Sequence, residues 1–115
     1  MKETLLIVAD SERDANMLYA VGMFVPDPFV YLNMGGRPLI LMSDLEIDRA
    51  RKQAPHCQVL SLSTYQRKLR AAGTKKASLP RIIHQVLREK KVRRVLVPDN
   101  FPFGLARDLK KLGVK

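Results

Sequence analysis

Two histidines, one cysteine and an aspartate at a strand end are the residues of this chain best suited to chemistry. His56 and His84 are the whole histidine complement. They do not sit three or four residues apart on a helix, and no Cys, Asp or Glu cluster accompanies either. The tetrahedral or octahedral ligand set that a catalytic or structural metal needs is therefore not written in the chain. Cys57 would act as a nucleophile only with a lowered pKa and a positioned base. It opens an apolar run, Cys57–Leu62, which predicts a buried, inert thiol. Asp10 follows the first apolar run, at the strand end where α/β proteins often place functional groups. Its expected role is to support the N-terminus of the next helix by capping and by its charge. No G-x-S-x-G elbow, Walker loop or G-x-G-x-x-G is present, so neither a hydrolase nucleophile nor a phosphate-cradling loop is predicted. A stand-alone Rossmann-like small-molecule binder is disfavoured for the same reason. The site residues expected are none catalytic, none cofactor-binding and none metal-ligating. Arg37 and the Pro26–Phe29 loop are exposed-loop candidates whose expected role is structural.

Charge is the other feature with chemical content. Residues 1–48 hold three basic and eight acidic side chains, whereas residues 49–115 hold eighteen basic and three acidic, so +10 overall divides into −5 and +15. The densest basic segments are Arg67-Lys68-Arg70-Lys75-Lys76 and Arg88-Lys90-Lys91-Arg93-Arg94. Such asymmetry fits a partner of opposite sign: nucleic acid, or an acidic neighbouring domain or subunit. Aromatics are not interleaved with the basic runs, and no nucleic-acid motif matches, so nucleic-acid binding stands as the alternative reading.

The elements that must position these residues alternate in type. Thr4–Ala9 is a continuous apolar run, as a buried strand requires. Ser11 is placed to cap a helix over Glu12–Val21, with Ala15, Leu18, Tyr19 and Gly22 on one face and Gly22 closing it. Phe29–Met34 and Pro38–Met42 flank Gly35-Gly36, a pair that accepts the positive φ of a tight hairpin. Ser43-Asp44-Leu45-Glu46 and Ser63-Thr64-Tyr65-Gln66 match the capping-box pattern; the first opens a helix to Ala54, the second one that Gly73 can end. A linker over Thr74–Ser78 leads to an amphipathic helix carrying Leu79, Ile82, Ile83, Val86 and Leu87. Arg94–Val97 reads as a fifth strand. Asn100 is placed to cap a last helix, with Leu105, Ala106, Leu109 and Leu112 inward and Gly113 closing it. Val114 reads as the first residue of a further strand, as if the chain were cut at a domain edge.

This order predicts one α/β domain over residues 1–115, a mixed and mostly parallel sheet with one antiparallel hairpin and helices on both faces. One domain of this length buries roughly two-thirds of its unfolded surface and needs no disulfide or metal to fold. The single cysteine fits a reducing compartment. No apolar run reaches the roughly 18 residues of a membrane span, and the acidic Asp10, Glu12 and Asp14 argue against a secretory leader; a cytoplasmic protein without a membrane partner is expected.

The order of elements and several short patterns resemble the amino-terminal domain of the creatinase, prolidase and Xaa-Pro aminopeptidase metallopeptidases. Asp14–Phe24 resembles that family's Asn-x-x-Tyr-x-x-Gly helix end, through Asn16, Tyr19 and Gly22. The Phe29–Met42 strand pair, the Ser43–Ala54 helix, Leu79–Lys91, Val95–Pro98 and Asp99–Gly113 resemble the segments that follow, so the likeness spans nearly the whole chain. Val21 stands where the family often has Thr or Ser, and Pro26-Asp27-Pro28 is not a general family feature. The resemblance implies a three-layer, ribonuclease H-like architecture. It also implies a non-catalytic domain that aids dimerisation and borders the active-site entrance. The implied parent enzyme would carry its chemistry, and two divalent metal ions, in a following pita-bread domain absent from this chain. Its partners would be that catalytic domain and a second subunit.

Overall fold

The computed structural model describes residues 3–73 and 77–115. Thr74 to Lys76 of the expected linker, and with them Lys75 and Lys76 of the first basic segment, lie outside the described residues. Four strands, β1 (Thr4–Ala9), β2 (Phe29–Met34), β3 (Pro38–Met42) and β4 (Gln58–Ser61), form one sheet in the order β1-β2-β3-β4. Five helices accompany it: α1 (Ala15–Val21), α2 (Asp44–Gln53), α3 (Leu62–Ala71), α4 (Leu79–Glu89) and α5 (Phe103–Lys111).

Side-chain alternation along the strands sorts the core into two halves. Leu6, Val8, Val30, Leu32, Leu39 and Leu41 pack with Tyr65, Leu69, Ile82, Ile83, Val86, Leu87 and Leu109 of α3, α4 and α5. Ile7, Tyr31, Ile40 and Met42 pack with Met17 and Val21 of α1 and Ala50 of α2. Both faces of the sheet are thus covered, which is why the strands read as unbroken apolar runs.

The sheet is mixed, as expected, but not mostly parallel. β1 pairs antiparallel with β2, β2 antiparallel with β3, and only β3 with β4 is parallel among the ladders. The expectation failed at the connection from β1 to β2, where an intervening helix suggested a parallel crossover. With its seven residues, α1 rises about 10 Å, while a six-residue strand is about 20 Å long. So short a helix does not carry the chain back along the strand, and β2 begins at the end where β1 finishes. At Gly35 and Gly36 the hairpin turn has φ of 62° and 91°, positive at both central residues as a type I′ turn requires. The Asn33 side chain braces it by accepting from Gly36 N at 2.8 Å.

The fifth strand contracts to one parallel bridge between Leu5 and Leu96. Leu6 N donates to Leu96 O at 2.8 Å, and Leu96 N to Thr4 O at 2.7 Å. Lys115 lies on the other side of this segment: its N donates to Arg93 O at 3.0 Å and its carbonyl accepts from Val95 N at 2.9 Å, the two-bond pattern of a parallel ladder. The strand character expected at Val114 is thus present in the backbone pairing of its neighbour.

Helix ends differ from expectation in instructive ways. Asp14, and not Ser11, caps α1 by accepting from Met17 N. The buried residues of α1 are Met17 and Val21, while Tyr19 is 93% exposed; adjacent apolar residues at 17 and 18 left the helix face ambiguous. Ser43 occupies the N-cap of α2 without a side-chain bond: Glu46 N donates to the Ser43 backbone carbonyl at 3.0 Å, and the Glu46 side chain pairs with Arg49 at 2.8 Å instead of reaching back. Ser61, two residues before the expected Ser63, caps α3 by accepting from Thr64 N at 3.3 Å. Pro102 precedes α5 and not Asn100; Asn100 is turned to Asp14 instead. Gly22, Gly73 and Gly113 all adopt the positive φ expected of helix closers.

Candidate functional site: a basic groove at one end of the sheet

β1, β3, β4 and the Leu96 segment point the same way, so the sheet has two distinct ends. Asp10, Ser11, Asp14, Asp44 and Asp99 follow the strands at the end where these strands finish. Helices α1, α2 and α3 start there, and acidic residues favour that position because helix N-termini carry partial positive charge. In open α/β sheets this is also the end where ligands usually bind.

Here Asp10, Ser11, Asp14 and Asp44 are engaged with the fold. The buried Ser11 hydroxyl donates to Met23 O and accepts from Val25 N, each at 2.6 Å. Asp14 caps α1 through one carboxylate oxygen and accepts from Asn100 Nδ2 at 2.8 Å through the other. Asp10 accepts from Arg13 N at 3.0 Å in the turn before α1, so it braces that turn and does not itself cap the helix, whose N-cap is Asp14. Asp44 accepts from the hydroxyls of Ser61 at 2.6 Å and Ser63 at 2.8 Å. Those two bonds, with a smaller contribution from Arg67, hold its carboxyl below the usual value against the opposing effect of desolvation. Asp14 and Asp44 each tie together segments that leave different strands.

Two adjoining hollows open at the other end, where β3 and β4 begin. The first, of about 710 Å³, is lined by His84, Arg88, Lys91 and Arg93 around Val92, with Gly113 and Val114 below. The second, of about 720 Å³, shares Val92 and is bordered by Arg37, His56 and Lys90 beside Met34 and Gln58. No carboxylate lines either hollow, and among the described residues none of Arg37, Arg88, Lys90, Lys91 and Arg93 forms an ion pair. The two histidines thus border one surface, on neighbouring hollows. Burial, and then the guanidinium groups of Arg88 and Arg81, push the His84 imidazole below its ordinary pKa. His56 Nε2 lies 3.1 Å from Ala20 O. Among the described residues, no three His, Cys, Asp or Glu side chains are grouped to hold a metal ion. Cys57 is a buried free thiol, and burial raises its pKa. Exposed Arg37 does more than its turn suggested: its backbone carbonyl accepts from Met34 N in the hairpin, and the residue borders the second hollow.

Lys91 has φ of 59°, the one positive φ outside glycine among the described residues. It follows α4 as the left-handed residue of a Schellman closure: Lys91 N bonds Arg88 O at 3.1 Å and Val92 N bonds Leu87 O at 2.8 Å. Sequence reasoning placed Lys90 and Lys91 in a basic run but missed both this conformation and the convergence with Arg37 and His56. The convergence is long-range and has no local signature.

Elsewhere, α3 and α4 are tied by Tyr65, whose hydroxyl donates to Glu89 at 2.8 Å, and by Lys68, 3.7 Å from the same carboxylate. Desolvation, reinforced by Glu89, raises the Tyr65 phenol to about 12. This cluster is a strut between helices and not a reactive pair.

No protein-family model matches the sequence, and no curated protein sequence does. Solved structures do resemble it. An X-Pro aminopeptidase from Thermotoga maritima superposes with a TM-score of 0.71 at 12% identity over 96% of this chain and 28% of that one. An Xaa-Pro aminopeptidase structure from Streptococcus pyogenes gives 0.69 at 11% identity over 98% of this chain and 74% of that one. Prolidase from Pyrococcus furiosus gives 0.60 at 11% identity over 95% of this chain and 26% of that one. The chain therefore spans about a quarter of two of these proteins and three-quarters of the third. No helix among the described residues is long and apolar enough to cross a membrane. The fold of this chain is that of one portion of the Xaa-Pro aminopeptidases and prolidases.

Proposed function

We propose that this chain is the non-catalytic, amino-terminal domain of a Xaa-Pro aminopeptidase- or prolidase-like protein, three-layered and ribonuclease H-like in architecture. The observation that carries the reading is coverage: the likeness takes in 95–98% of this chain in three such structures, yet only 26–28% of two of them. The residues present do not fit the two divalent metal ions of such a peptidase, since among the described residues no three His, Cys, Asp or Glu side chains are grouped to hold even one ion. Bond cleavage would belong to a catalytic domain beyond these 115 residues. This domain's part would be to support a dimer and to narrow the approach to the active site.

The test is direct. The purified 115-residue chain is expected to hydrolyse no Xaa-Pro peptide with or without manganese. The reading frame past the codon for Lys115 is expected to encode an Asp, Asp, His, Glu, Glu ligand set. Metal-dependent turnover that tracks this chain through purification would overturn the non-catalytic assignment, and a downstream frame without those ligands would remove the peptidase part.

A further inference from the structure

We infer that the two hollows meeting at Val92 form a binding groove for a linear phosphate polyanion, held through its phosphates alone. Five permanent cations, Arg37, Arg88, Lys90, Lys91 and Arg93, converge there from the hairpin, the end of α4 and the segment after it. Helix-end electrostatics accounts for Arg88 and Lys90, which sit at a negative helix C-terminus. It does not account for Arg37 or Arg93, which belong to no helix, nor for the absence of any carboxylate from the lining. Guanidinium forks and ammonium groups are the side chains that bind phosphate oxygens best. Two open hollows that share Val92 as a wall suit a chain of phosphates better than a single small anion. No aromatic side chain lines it, so bases would find no stacking surface and recognition would stop at the backbone.

Lys91 provides an independent observation. Three helices close on glycine in the left-handed region, at Gly22, Gly73 and Gly113, while α4 closes on a lysine at φ 59°. Holding a lysine in that conformation is unfavourable, and strain of this kind is retained where a side chain is needed. Lys91 is one of the residues lining the first hollow. This inference does not depend on the peptidase reading.

The experiment is fluorescence anisotropy with a labelled mixed-sequence oligonucleotide, competed by inorganic polyphosphate and by polyglutamate at equal charge. Binding is expected to weaken steeply with salt. Arg88→Glu and Arg93→Glu should each weaken it by about tenfold, while Arg13→Glu, an equal charge change at the opposite end, should alter it by less than about threefold. Lys91→Gly should weaken binding while raising Tm by about 4 °C, which separates loss of the ligand contact from loss of the fold. Competition by polyphosphate at least as strong as by unlabelled oligonucleotide supports phosphate-only recognition and names the free polymer as a sufficient source. An oligonucleotide that binds where polyphosphate does not would mean base contacts and overturn the inference. So would equal weakening by Arg13→Glu, which leaves only net charge, or polyglutamate competing as well as polyphosphate, which points to an acidic polypeptide.

Discussion

At the end of the sheet where β1, β3 and β4 finish, the carboxylates of Asp10, Asp14 and Asp44 and the Ser11 hydroxyl are bonded within the fold. At the end where β3 and β4 begin, cations border two open hollows. Ser11, Asp14 and Asp44 each hold two hydrogen bonds that join separate segments. Arg88, Lys91 and Arg93 take part in no ion pair among the described residues. The sequence split of −5 and +15 thus becomes, in part, a spatial one: α2 starts with Asp44 and Glu46 and ends with Arg51 and Lys52, and α3 ends with Lys68 and Arg70, in step with their dipoles. The lesson is that the polar groups of one end stabilise the structure, while those of the other are free to serve something outside it.

Substitutions that remove stability should therefore concentrate at the acidic end. The largest effect is expected from Ser11→Ala. Its hydroxyl is buried and satisfies both Met23 O and Val25 N, so removal strands a buried donor and acceptor, at a cost of about 3 kcal/mol. Asp14→Ala should follow at about 1–2 kcal/mol, the value of a lost N-cap, with Asn100 losing its acceptor as well. Urea unfolding measures both. If Arg88→Glu or Arg93→Glu cost as much as Ser11→Ala, the division between a structural and an open end would fail.

What was readable in the sequence follows the same divide between local and distant causes. Gly35-Gly36 announces its hairpin because two positive φ values are a local demand, and the Leu79–Leu87 pattern announces α4 because its period needs no context. The closures at Gly22, Gly73 and Gly113 are local in the same sense. Ser11 was misread because a serine before a helical run looks like a cap, whereas its hydroxyl is claimed by residues 12 and 14 positions away. Asn100 misled likewise, being drawn to Asp14 across 86 positions. The antiparallel pairing of β1 with β2 hinged on how short α1 is, a boundary three residues from where the pattern placed it. The basic groove was half legible: the run near residue 90 was plain, but nothing local says that Arg37 and His56 arrive beside it. Resemblance of element order found the fold at 11–12% identity to the structures that share it, because packing preserves the order of elements long after most side chains have changed.

The open end should respond to Lys91→Gly in the opposite direction from Ser11→Ala. A glycine at φ 59° relieves a conformation that costs a side-chain-bearing residue about 1 kcal/mol. The backbone bonds of the Schellman closure do not involve the side chain, so they persist. Thermal unfolding is expected to show stabilisation of that size. A destabilised Lys91→Gly protein would mean that the lysine side chain supports the fold, and the contrast between the two ends would weaken.

The smallest effect tests whether Asp44 is as firmly engaged as its bonds suggest. Hydrogen bonds from Ser61 and Ser63 lower its pKa from the ordinary 3.8. A carboxyl depressed in the folded state contributes stability above its unfolded pKa and loses it as pH falls through the folded value. Ser63→Ala removes one donor and leaves the α3 cap in place, because Ser61 supplies that cap. The Asp44 carboxyl should then titrate closer to 3.8, read by carbon-detected NMR of its side chain. Ser61→Ala should move it further, since the Ser61 bond is the larger cause, and should also loosen the start of α3. The order of the two shifts is the discriminating result. If Ser63→Ala leaves the titration unchanged, the carboxylate is held by Ser61 alone, and this corner of the acidic end is a single bond and not a clasp between α2 and α3.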